Sequence, residues 1–324
     1  MEETGNLQSV RKGIKLLDAT LRDGGLVNAF NFSDEFVRAL YLADVAAGVD
    51  YIEFGYKTSE QYFDKTKFGK WKFCKEDDIR AIAGENKTPT KISVMSDVGR
   101  VNLKDEIIAK KDSVIDMYRI AAYANQIPAA VEMIEYCNKM GYATCCNIMA
   151  ISRNQESDLK RALEEVGKSP VDVIYIVDSF GSLYPEEIRR IADIFSETCA
   201  KYNKQIGIHA HNNQQLAFAN TVEACAKGVN FLDATVSGMG RGAGNCFLEA
   251  MLGFLKNPKY KIEPVLAFIR DYIRPLKESG VVWGYDVPYL LTGLNNAHPY
   301  AAIDFIKAGR NDYEQFISEL LAID

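Results

Sequence analysis

The chain has 324 residues, of which 48% are hydrophobic and 25% are charged, and its formal net charge is -6 at pH 7. This composition is typical of a globular protein, and the negative charge gives no support for nucleic-acid binding. No apolar run approaches the ~20 residues needed to cross a bilayer, and the first 12 residues lack the apolar core of a signal peptide. We therefore expect a cytoplasmic protein that binds neither nucleic acid nor membrane.

Apolar runs and helical patterns alternate along the chain. The first run ends at Ala19 and is followed by Gly24-Gly25, which predicts a strand that opens into a loop. Seven further strands follow, so the eight predicted strands are residues 14–19, 49–55, 91–95, 114–121, 142–149, 171–177, 206–211 and 231–236. The predicted helices between them are residues 34–47, 104–111, 128–140, 155–167, 185–201 and 216–227.

Eight strands that alternate with helices over about 240 residues are typical of an α/β fold of the (β/α)8 TIM-barrel type. An open doubly wound sheet would be expected to carry a Gly-x-Gly-x-x-Gly turn after its first strand, and the sequence has none there. From Glu263 onward the pattern is helical and no longer alternates with strands. We predict a catalytic barrel over residues 1–260 and a helical C-terminal extension over residues 261–324 that packs near the catalytic face.

Polar side chains stand at the predicted ends of strands one and seven. Arg22 and Asp23 follow strand one, and His209 and His211 close strand seven. Because residues i and i+2 of a strand face the same side, the two histidines point together, about 6–7 Å apart along the chain. Strands one, seven and eight are neighbours in a closed barrel, and barrel chemistry lies at the carboxyl ends of the strands. Two imidazoles and one carboxylate form a ligand set for a divalent ion, so the sequence predicts a metal site here.

Simpler interpretations of these residues exist. A lone Arg-Asp pair is most often a surface or capping pair, and His-x-His on a strand is sometimes polar core structure. The segment 56–75 also has two interpretations, because six lysines alternate there with six aromatic residues. It is either a solvated loop packed by its aromatic side chains or a lid that helps to hold an anionic substrate.

Three motifs, in this order and spacing, carry a resemblance to a known family. They are Thr20-Leu21-Arg22-Asp23-Gly24, His209-Ala210-His211-Asn212 and Gly240-Arg241-Gly242-Ala243-Gly244-Asn245. Over residues 14 to about 256, the chain resembles the metal-dependent lyase and synthase barrels. This group includes 4-hydroxy-2-oxoacid aldolases, 3-hydroxy-3-methylglutaryl-CoA (HMG-CoA) lyase, and the isopropylmalate and homocitrate synthases. The glycine-rich motif is most similar to that of the 4-hydroxy-2-oxovalerate-type aldolases.

The resemblance implies roles for individual residues. It makes Asp23, His209 and His211 metal ligands, and it makes Arg22 the arginine that stabilises the enolate oxygen. Asn245 matches a position that is a metal ligand in the CoA lyase, and the alternative is that it only supports the ligands, as in the aldolases. The resemblance also predicts a substrate-binding residue. Ser179 matches a serine that contacts the substrate carboxylate in aldolases.

Further candidates come from the same resemblance and from a departure from it. Glu53 and Arg119 end strands two and four, where the family often has polar site residues, so we expect them to bind substrate; the alternative is a structural ion pair across the barrel mouth. The aldolases carry a histidine shortly after Arg-Asp-Gly, whereas this chain has Gly25-Leu26. Their catalytic tyrosine would align near His298. We therefore predict that His298 is the catalytic base, the alternative being a loop histidine before a proline.

The function implied by the resemblance is that of a divalent-metal-dependent aldolase. It would cleave a small anionic 4-hydroxy-2-oxoacid to pyruvate and an aldehyde through an enolate that the ion stabilises. Oxygen and imidazole ligands favour Mn²⁺ or Mg²⁺, with Zn²⁺ as an alternative. Two other functions stay open: Claisen condensation of an acyl-CoA with a 2-oxoacid, and a non-catalytic metal-binding partner subunit. The expected partners are further copies of the chain or an aldehyde-processing enzyme.

Overall fold

The computed structural model describes residues 8–322. Eight parallel strands form a closed barrel in chain order, with the last strand paired to the first, which confirms the predicted TIM barrel. The strands are β1 (Lys15–Asp18), β2 (Tyr51–Tyr56), β3 (Lys91–Asp97), β4 (Met117–Ala122), β5 (Ala143–Ile148), β6 (Val173–Asp178), β7 (Gln205–Ala210) and β8 (Phe231–Ala234). No helix within this described part of the chain is long and apolar enough to cross a membrane.

Helices surround the barrel and continue beyond it. The barrel helices are α1 (Thr20–Asn28), α2 (Asp34–Ala47), α3 (Glu76–Ala83), α4 (Leu103–Glu106), α5 (Ile127–Lys139), α6 (Glu156–Lys168), α7 (Pro185–Tyr202), α8 (Ala217–Ala226) and α9 (Leu248–Phe254). The C-terminal helices are α10 (Glu263–Phe268), α11 (Arg274–Glu278), α12 (Val287–Leu294), α13 (Tyr300–Lys307) and α14 (Tyr313–Leu321), with a π-helical turn, Ile269–Ile273, between α10 and α11.

Apolar side chains fill the barrel interior as well as the space between strands and helices. Inside the barrel, Leu17, Tyr51, Tyr175 and Phe231 belong to one buried cluster. A larger cluster joins the outer faces of the strands to the helices. The strands are apolar on both faces because both faces are covered, as expected for a parallel sheet. The few charged side chains inside the strands are therefore the exceptions that mark the site.

The segment after β1 differs from the prediction. The chain does not open into a loop at Gly24-Gly25, because α1 begins at Thr20 and contains both glycines. A Cβ atom on Gly25 would lie only 2.2 Å from the ring of Phe30. The glycine therefore allows a close helix contact and does not mark a turn. As a consequence, Arg22 and Asp23 lie in the first turn of a buried helix and not in a loop.

The long segment between β2 and α3 is packed by its aromatic side chains. Lys72 is 6% exposed, and its Nζ lies 4.1 Å from the ring centroids of both Tyr56 and Phe63. Burial lowers the pKa of Lys72 to about 8. This arrangement fits the interpretation of a packed loop better than that of an open lid.

The C-terminal helices contact the barrel at two places. On the barrel wall, α10 packs against α2, with the ring centroids of Phe36 and Phe268 5.1 Å apart. At the carboxyl ends of the strands, Asn213 in the loop after β7 donates to the Tyr289 carbonyl at 3.3 Å, and Arg153 after β5 donates to the Asn296 carbonyl. The division of the chain into two domains at residue 260 stays a prediction.

The packing of α1 gives a test with a matched control. Gly25→Ala should lower the midpoint of chemical unfolding, because the added Cβ forces Phe30 or the helix to move at a cost of about 1–3 kcal/mol. Gly253→Ala in α9 should leave the midpoint unchanged or raise it, since nothing lies within 4 Å of its Cβ position and alanine is the better helix former by ~1 kcal/mol. Equal midpoints for the two variants would contradict the proposed role of Gly25.

Candidate metal centre

Three side chains that the sequence predicts as ligands lie together at the mouth of the barrel. The Oδ2 atom of Asp23 lies 3.1 Å from His209 Nε2 and 3.3 Å from His211 Nε2. One ligand atom from each of the three residues lies within 4.8 Å of the others. All three side chains are buried. The arrangement fits a divalent cation held by two imidazoles and a carboxylate.

Each imidazole is oriented by a hydrogen bond on the opposite side of its ring. His209 Nδ1 lies 3.0 Å from Asp233 Oδ2, and His211 Nδ1 lies 3.0 Å from the Asp178 carbonyl oxygen. If both Nδ1 atoms carry the proton as donors, both Nε2 lone pairs face Asp23. Such outer contacts fix the tautomer and orientation of metal-binding histidines. Sequence reasoning missed Asp233, although a single carboxylate inside the apolar strand β8 was a usable signal.

A buried chain of ion pairs joins Asp233 back to Arg22. Glu53 Oε2 accepts from Arg22 Nε and from Arg119 Nη1, each at 2.8 Å, and Arg119 Nη2 donates to Asp233. Glu53 and Arg119 are fully buried, and they lie outside the residues that line the pocket. The geometry therefore fits the structural alternative, an ion pair across the barrel mouth, and gives no support to direct substrate binding by these two residues. They hold Arg22 and Asp233 in position.

The charge states of the three candidate ligands follow from their surroundings. Burial raises the pKa of Asp23, but Arg22 and the two histidines outweigh burial and hold that pKa well below its ordinary range. Burial lowers the pKa of His211. For His209, burial and Arg22 lower the pKa, but the contacts with Asp23 and Asp233 outweigh them and raise it. Asp23 is thus ionised and His211 neutral, while a proton on His209 would be displaced when a cation binds.

Unpaired oxygen atoms test whether these residues fit a metal ion. Asp23 Oδ1 and Asn245 Oδ1 are buried and have no hydrogen-bond partner among the described residues. A Cβ atom on Gly240 would lie 2.1 Å from Asn245 Nδ2 and 3.4 Å from Asp23 Cγ, so only glycine lets both side chains approach there. Buried oxygen atoms without donors are costly unless a cation or water satisfies them. The residues present therefore fit a divalent cation, with Asn245 beside the three ligands.

A small pocket of about 90 Å³ opens above the ligands. Arg22 lines it, as do Ser179 and two residues that the sequence reasoning missed, Asn147 on β5 and Arg241 in the glycine-rich loop. Asn147 Oδ1 is buried and has no partner among residues 8–322. A buried amide that faces a pocket can bind a polar ligand. Its sequence signal was a polar residue inside an apolar strand.

Ser179 lines this pocket, whereas His298 does not. Ser179 Oγ accepts from the Ala150 amide at 2.8 Å while the side chain lines the pocket. His298 lies outside the residues that line the pocket. Its ring packs against Phe180 and Tyr300, with centroid distances of 5.4 and 4.7 Å, and its Nδ1 accepts from the Tyr300 amide at 3.2 Å.

The family is decided by comparison with known proteins. The sequence model of the HMGL-like family matches residues 13–270. This chain belongs to the HMGL-like family. A 4-hydroxy-2-oxovalerate aldolase from Thermus thermophilus is 30% identical over 76% of this chain and 70% of its own length. An oxaloacetate decarboxylase from Mycobacterium tuberculosis is 26% identical over 74% of this chain and 69% of its own length.

A solved structure supports the same assignment. The N-terminal domain of a Bacteroides vulgatus protein assigned as an aldolase superposes with a TM-score of 0.77 at 28% identity, covering 90% of this chain and 96% of that one. The prediction of a metal-dependent lyase is thereby confirmed at the level of the HMGL-like family. The roles of individual residues, the cytoplasmic location, and the homo-oligomer or aldehyde-processing partner stay predictions.

The ligand set can be tested without knowledge of the substrate. Asp23→Ala and His211→Ala should each lose the bound Mn²⁺, because each removes one of three protein ligands and leaves the others unable to hold the ion. The measurement is metal content after dialysis, with Ser179→Ala as the control that keeps its ion. If both variants kept a full equivalent of Mn²⁺, the assignment of Asp23 and His211 as metal ligands would be wrong.

Proposed function

We propose that this chain is a divalent-metal-dependent aldolase that cleaves a small anionic 4-hydroxy-2-oxoacid to pyruvate and an aldehyde. The observation that carries the proposal is the small pocket in which the buried set of Asp23, His209 and His211 meets the guanidinium of Arg22. Its volume of about 90 Å³ suits a pyruvate-sized fragment. The HMGL-like family and the aldolase relatives support the same activity.

In this proposal, Asp23, His209 and His211 hold the ion, and Asn245 lies beside them. When bound, a divalent ion acts as a Lewis acid toward the carboxylate and keto oxygens of a 2-oxoacid. Imidazole and carboxylate ligands suit Mn²⁺ or Mg²⁺, with Zn²⁺ as the alternative. Asn147 and Ser179 line the same pocket and can donate to or accept from the substrate's polar atoms.

Arg22 is proposed to stabilise the oxygen that gains negative charge. In the cleavage, the C3–C4 bond breaks, its electron pair passes to the pyruvate fragment, and the proton of the 4-hydroxyl passes to a base. C3 then takes up a proton from water, which completes pyruvate. The Arg22 guanidinium is already fixed by Glu53 at 2.8 Å, so it needs no reorganisation during the reaction. A preorganised donor of this kind is worth ~3–4 kcal/mol of the barrier.

His298 is proposed as the base, although it lies outside the residues that line the pocket. Burial lowers its pKa to about 4, and the positive charges of Arg241 and Arg153 and the nearby His211 act in the same direction. The ring is therefore neutral at pH 7. Its Nδ1 accepts from the Tyr300 amide, so the proton of the neutral ring lies on Nε2, and Nδ1 is the atom that can accept a proton once that contact opens. Reaching a 4-hydroxyl requires that hydroxyl to extend beyond the metal pocket.

A second candidate function follows from the pocket lining. Among the described residues that line it, those that titrate and are not proposed ligands are Arg22, Tyr56 and Arg241; burial raises the pKa of Tyr56. None of these is a base at neutral pH. Decarboxylation of a 2-oxodiacid needs no base, because CO2 leaves from an ionised carboxylate and the electron pair passes to C3, which water then protonates. Arg241 could bind that carboxylate, and an oxaloacetate decarboxylase is among the relatives.

A substrate panel tests these proposals. The protein is loaded with Mn²⁺ and offered 4-hydroxy-2-oxovalerate, oxaloacetate, and acetyl-CoA with a 2-oxoacid, while pyruvate and free CoA are measured. We expect pyruvate from 4-hydroxy-2-oxovalerate and loss of that activity on chelation. If the protein releases pyruvate from oxaloacetate faster than free Mn²⁺ does, and shows no aldol cleavage, the decarboxylase would be favoured. Release of CoA would favour the condensing enzyme, and no turnover would favour a non-catalytic subunit.

The role of Arg22 predicts a specific loss. Arg22→Lys should lower kcat/KM for pyruvate release by roughly 10²–10³-fold while leaving the metal content unchanged, because lysine keeps the charge but loses the planar fork that engages Glu53 and substrate together. The control is Arg189→Lys, an exposed arginine paired with Glu223, which should be fully active. Activity of Arg22→Lys within about threefold of wild type, ~0.6 kcal/mol, would make Arg22 a structural residue.

The role of His298 predicts a pH-dependent loss. His298→Asn should lower kcat/KM for aldol cleavage by roughly 10²-fold at pH 7, with metal content intact. The ratio of wild-type to variant activity should shrink as the pH falls through about 4, since wild-type His298 is then protonated and cannot accept a proton. Taking the ratio removes the titration of groups common to both proteins. A ratio that stays constant with pH would return His298 to a structural role.

A further inference from the structure

A second cleft, of about 410 Å³, lies beside the metal pocket, between α1, the glycine-rich loop after β8 and the C-terminal helices. Its walls combine apolar and aromatic side chains with the charged residues Arg241, Asp286 and Lys307. Four aromatic side chains contribute to them: Trp283, Tyr285, Tyr289 and Tyr300. A volume of this size and a lining rich in aromatic side chains are typical of small-molecule sites. Nothing in the proposed chemistry at the metal accounts for this space.

The cleft is continuous with the metal pocket. Leu26 and Arg241 line both spaces, so the two meet at these side chains. Leu26 is 37% exposed, although α1 buries the residues before it. The guanidinium of Arg241 lies 5.6 Å from the ring centroid of Tyr300, on the wall of the cleft. A molecule bound at the metal and too long for the metal pocket can therefore continue into this cleft.

The sizes of the two spaces agree with such a continuation. The metal pocket, at about 90 Å³, is the smaller of the two spaces and suits the oxoacid half of a substrate. A further cleft, of about 480 Å³, also borders the metal pocket, but it shares only Met149 with it. That cleft is lined by the charged residues Arg153, Asp158, Arg161 and Glu165. The aromatic cleft is favoured because it shares two side chains with the metal pocket and because four aromatic rings line it, against two in the charged cleft.

We propose that the aromatic cleft binds the aldehyde half of the substrate and that this half carries an apolar group of about the size of a phenyl ring. The inference rests on the proposed aldolase function. Burial of an aromatic ring among aromatic side chains adds favourable edge and stacking contacts to the burial of apolar area. A methyl group in the same position would bury much less apolar area than a phenyl ring. Leu26 is the side chain over which the substrate passes from one space to the other.

The preference is measured with two substrates that differ only at C4. Pyruvate release is compared for the 4-methyl and 4-phenyl 4-hydroxy-2-oxoacids, and kcat/KM should be at least about tenfold higher for the phenyl compound. Ile306→Trp, at a position 37% exposed on the cleft wall, should lower kcat/KM for the phenyl compound by roughly tenfold and leave the methyl compound within twofold. Asn125→Trp, which narrows the charged cleft, is the matched control and should change neither value.

Binding can be followed apart from turnover. Trp283 lies in the cleft wall, whereas the other tryptophan, Trp71, is fully buried elsewhere. A phenyl analogue without the 4-hydroxyl, 2-oxo-4-phenylbutanoate, cannot undergo aldol cleavage. It should change the tryptophan emission saturably in wild type but not in Trp283→Phe. An unchanged emission in wild type would overturn the inference.

The kinetic outcomes separate this inference from the function on which it rests. Equal kcat/KM for the two compounds, or an equal loss of both in Ile306→Trp, would overturn the inference and leave the aldolase in place. A selective loss of the phenyl compound in Asn125→Trp would overturn it as well, because the substrate would then leave through the charged cleft. If neither compound released pyruvate, the proposed aldolase function itself would fail.

Discussion

The Asp23 carboxylate is the group on which the rest of the site depends. Its Oδ2 atom contacts both imidazoles and lies 3.5 Å from Arg22 Nη1. From it, a closed circuit of buried ion pairs and hydrogen bonds runs around the barrel mouth through Arg22, Glu53, Arg119, Asp233 and His209. Removing an ion from water costs several kcal/mol, so each member is tolerable only because its neighbours pair with it. Loss of one member would leave the next uncompensated.

The charge balance of the circuit is compatible with a bound cation. Two guanidiniums face three carboxylates, so the circuit carries one negative charge in excess when His209 is neutral. This imbalance agrees with the direction in which Asp23 and Asp233 shift the pKa of His209. A divalent ion at Asp23 can take the place of that proton. Glu53 and Arg119 line no part of the pocket, yet they determine where Arg22 and Asp233 point.

The sequence predicted the structure best where apolar and polar residues follow a regular spacing along the chain. Alternating apolar runs and helical patterns predicted the barrel, and the i, i+2 spacing of His209 and His211 predicted that they face together. The predicted loop after β1 was wrong. Gly24-Gly25 has the composition of a turn, but Gly25 is needed for its close contact with Phe30, which appears only in the folded structure. Asp233 and Asn147 were missed because each is one polar residue in an apolar strand, without a motif.

The packing of the C-terminal helices was the feature that the sequence predicted least well. Helical periodicity predicted them, but not that Trp283, Tyr289 and Tyr300 would enclose a cleft next to Arg241. That arrangement depends on contacts between segments far apart in the chain, such as the hydrogen bond from Trp283 Nε1 to the Ser237 carbonyl, 3.0 Å long. Predicting His298 as a base likewise depended on a tail position that local patterns do not determine.

We propose that the buried circuit holds a divalent ion where a 2-oxoacid gains negative charge next to Arg22. This can be tested by proton exchange at the methyl group of pyruvate in D2O, followed by NMR with Mg²⁺ bound. The measurement needs no aldehyde, and solvent or buffer can accept the methyl proton. We expect exchange that is faster than with free Mg²⁺ and that stops on chelation. No exchange above that background, in protein whose metal site is shown to be filled, would contradict it.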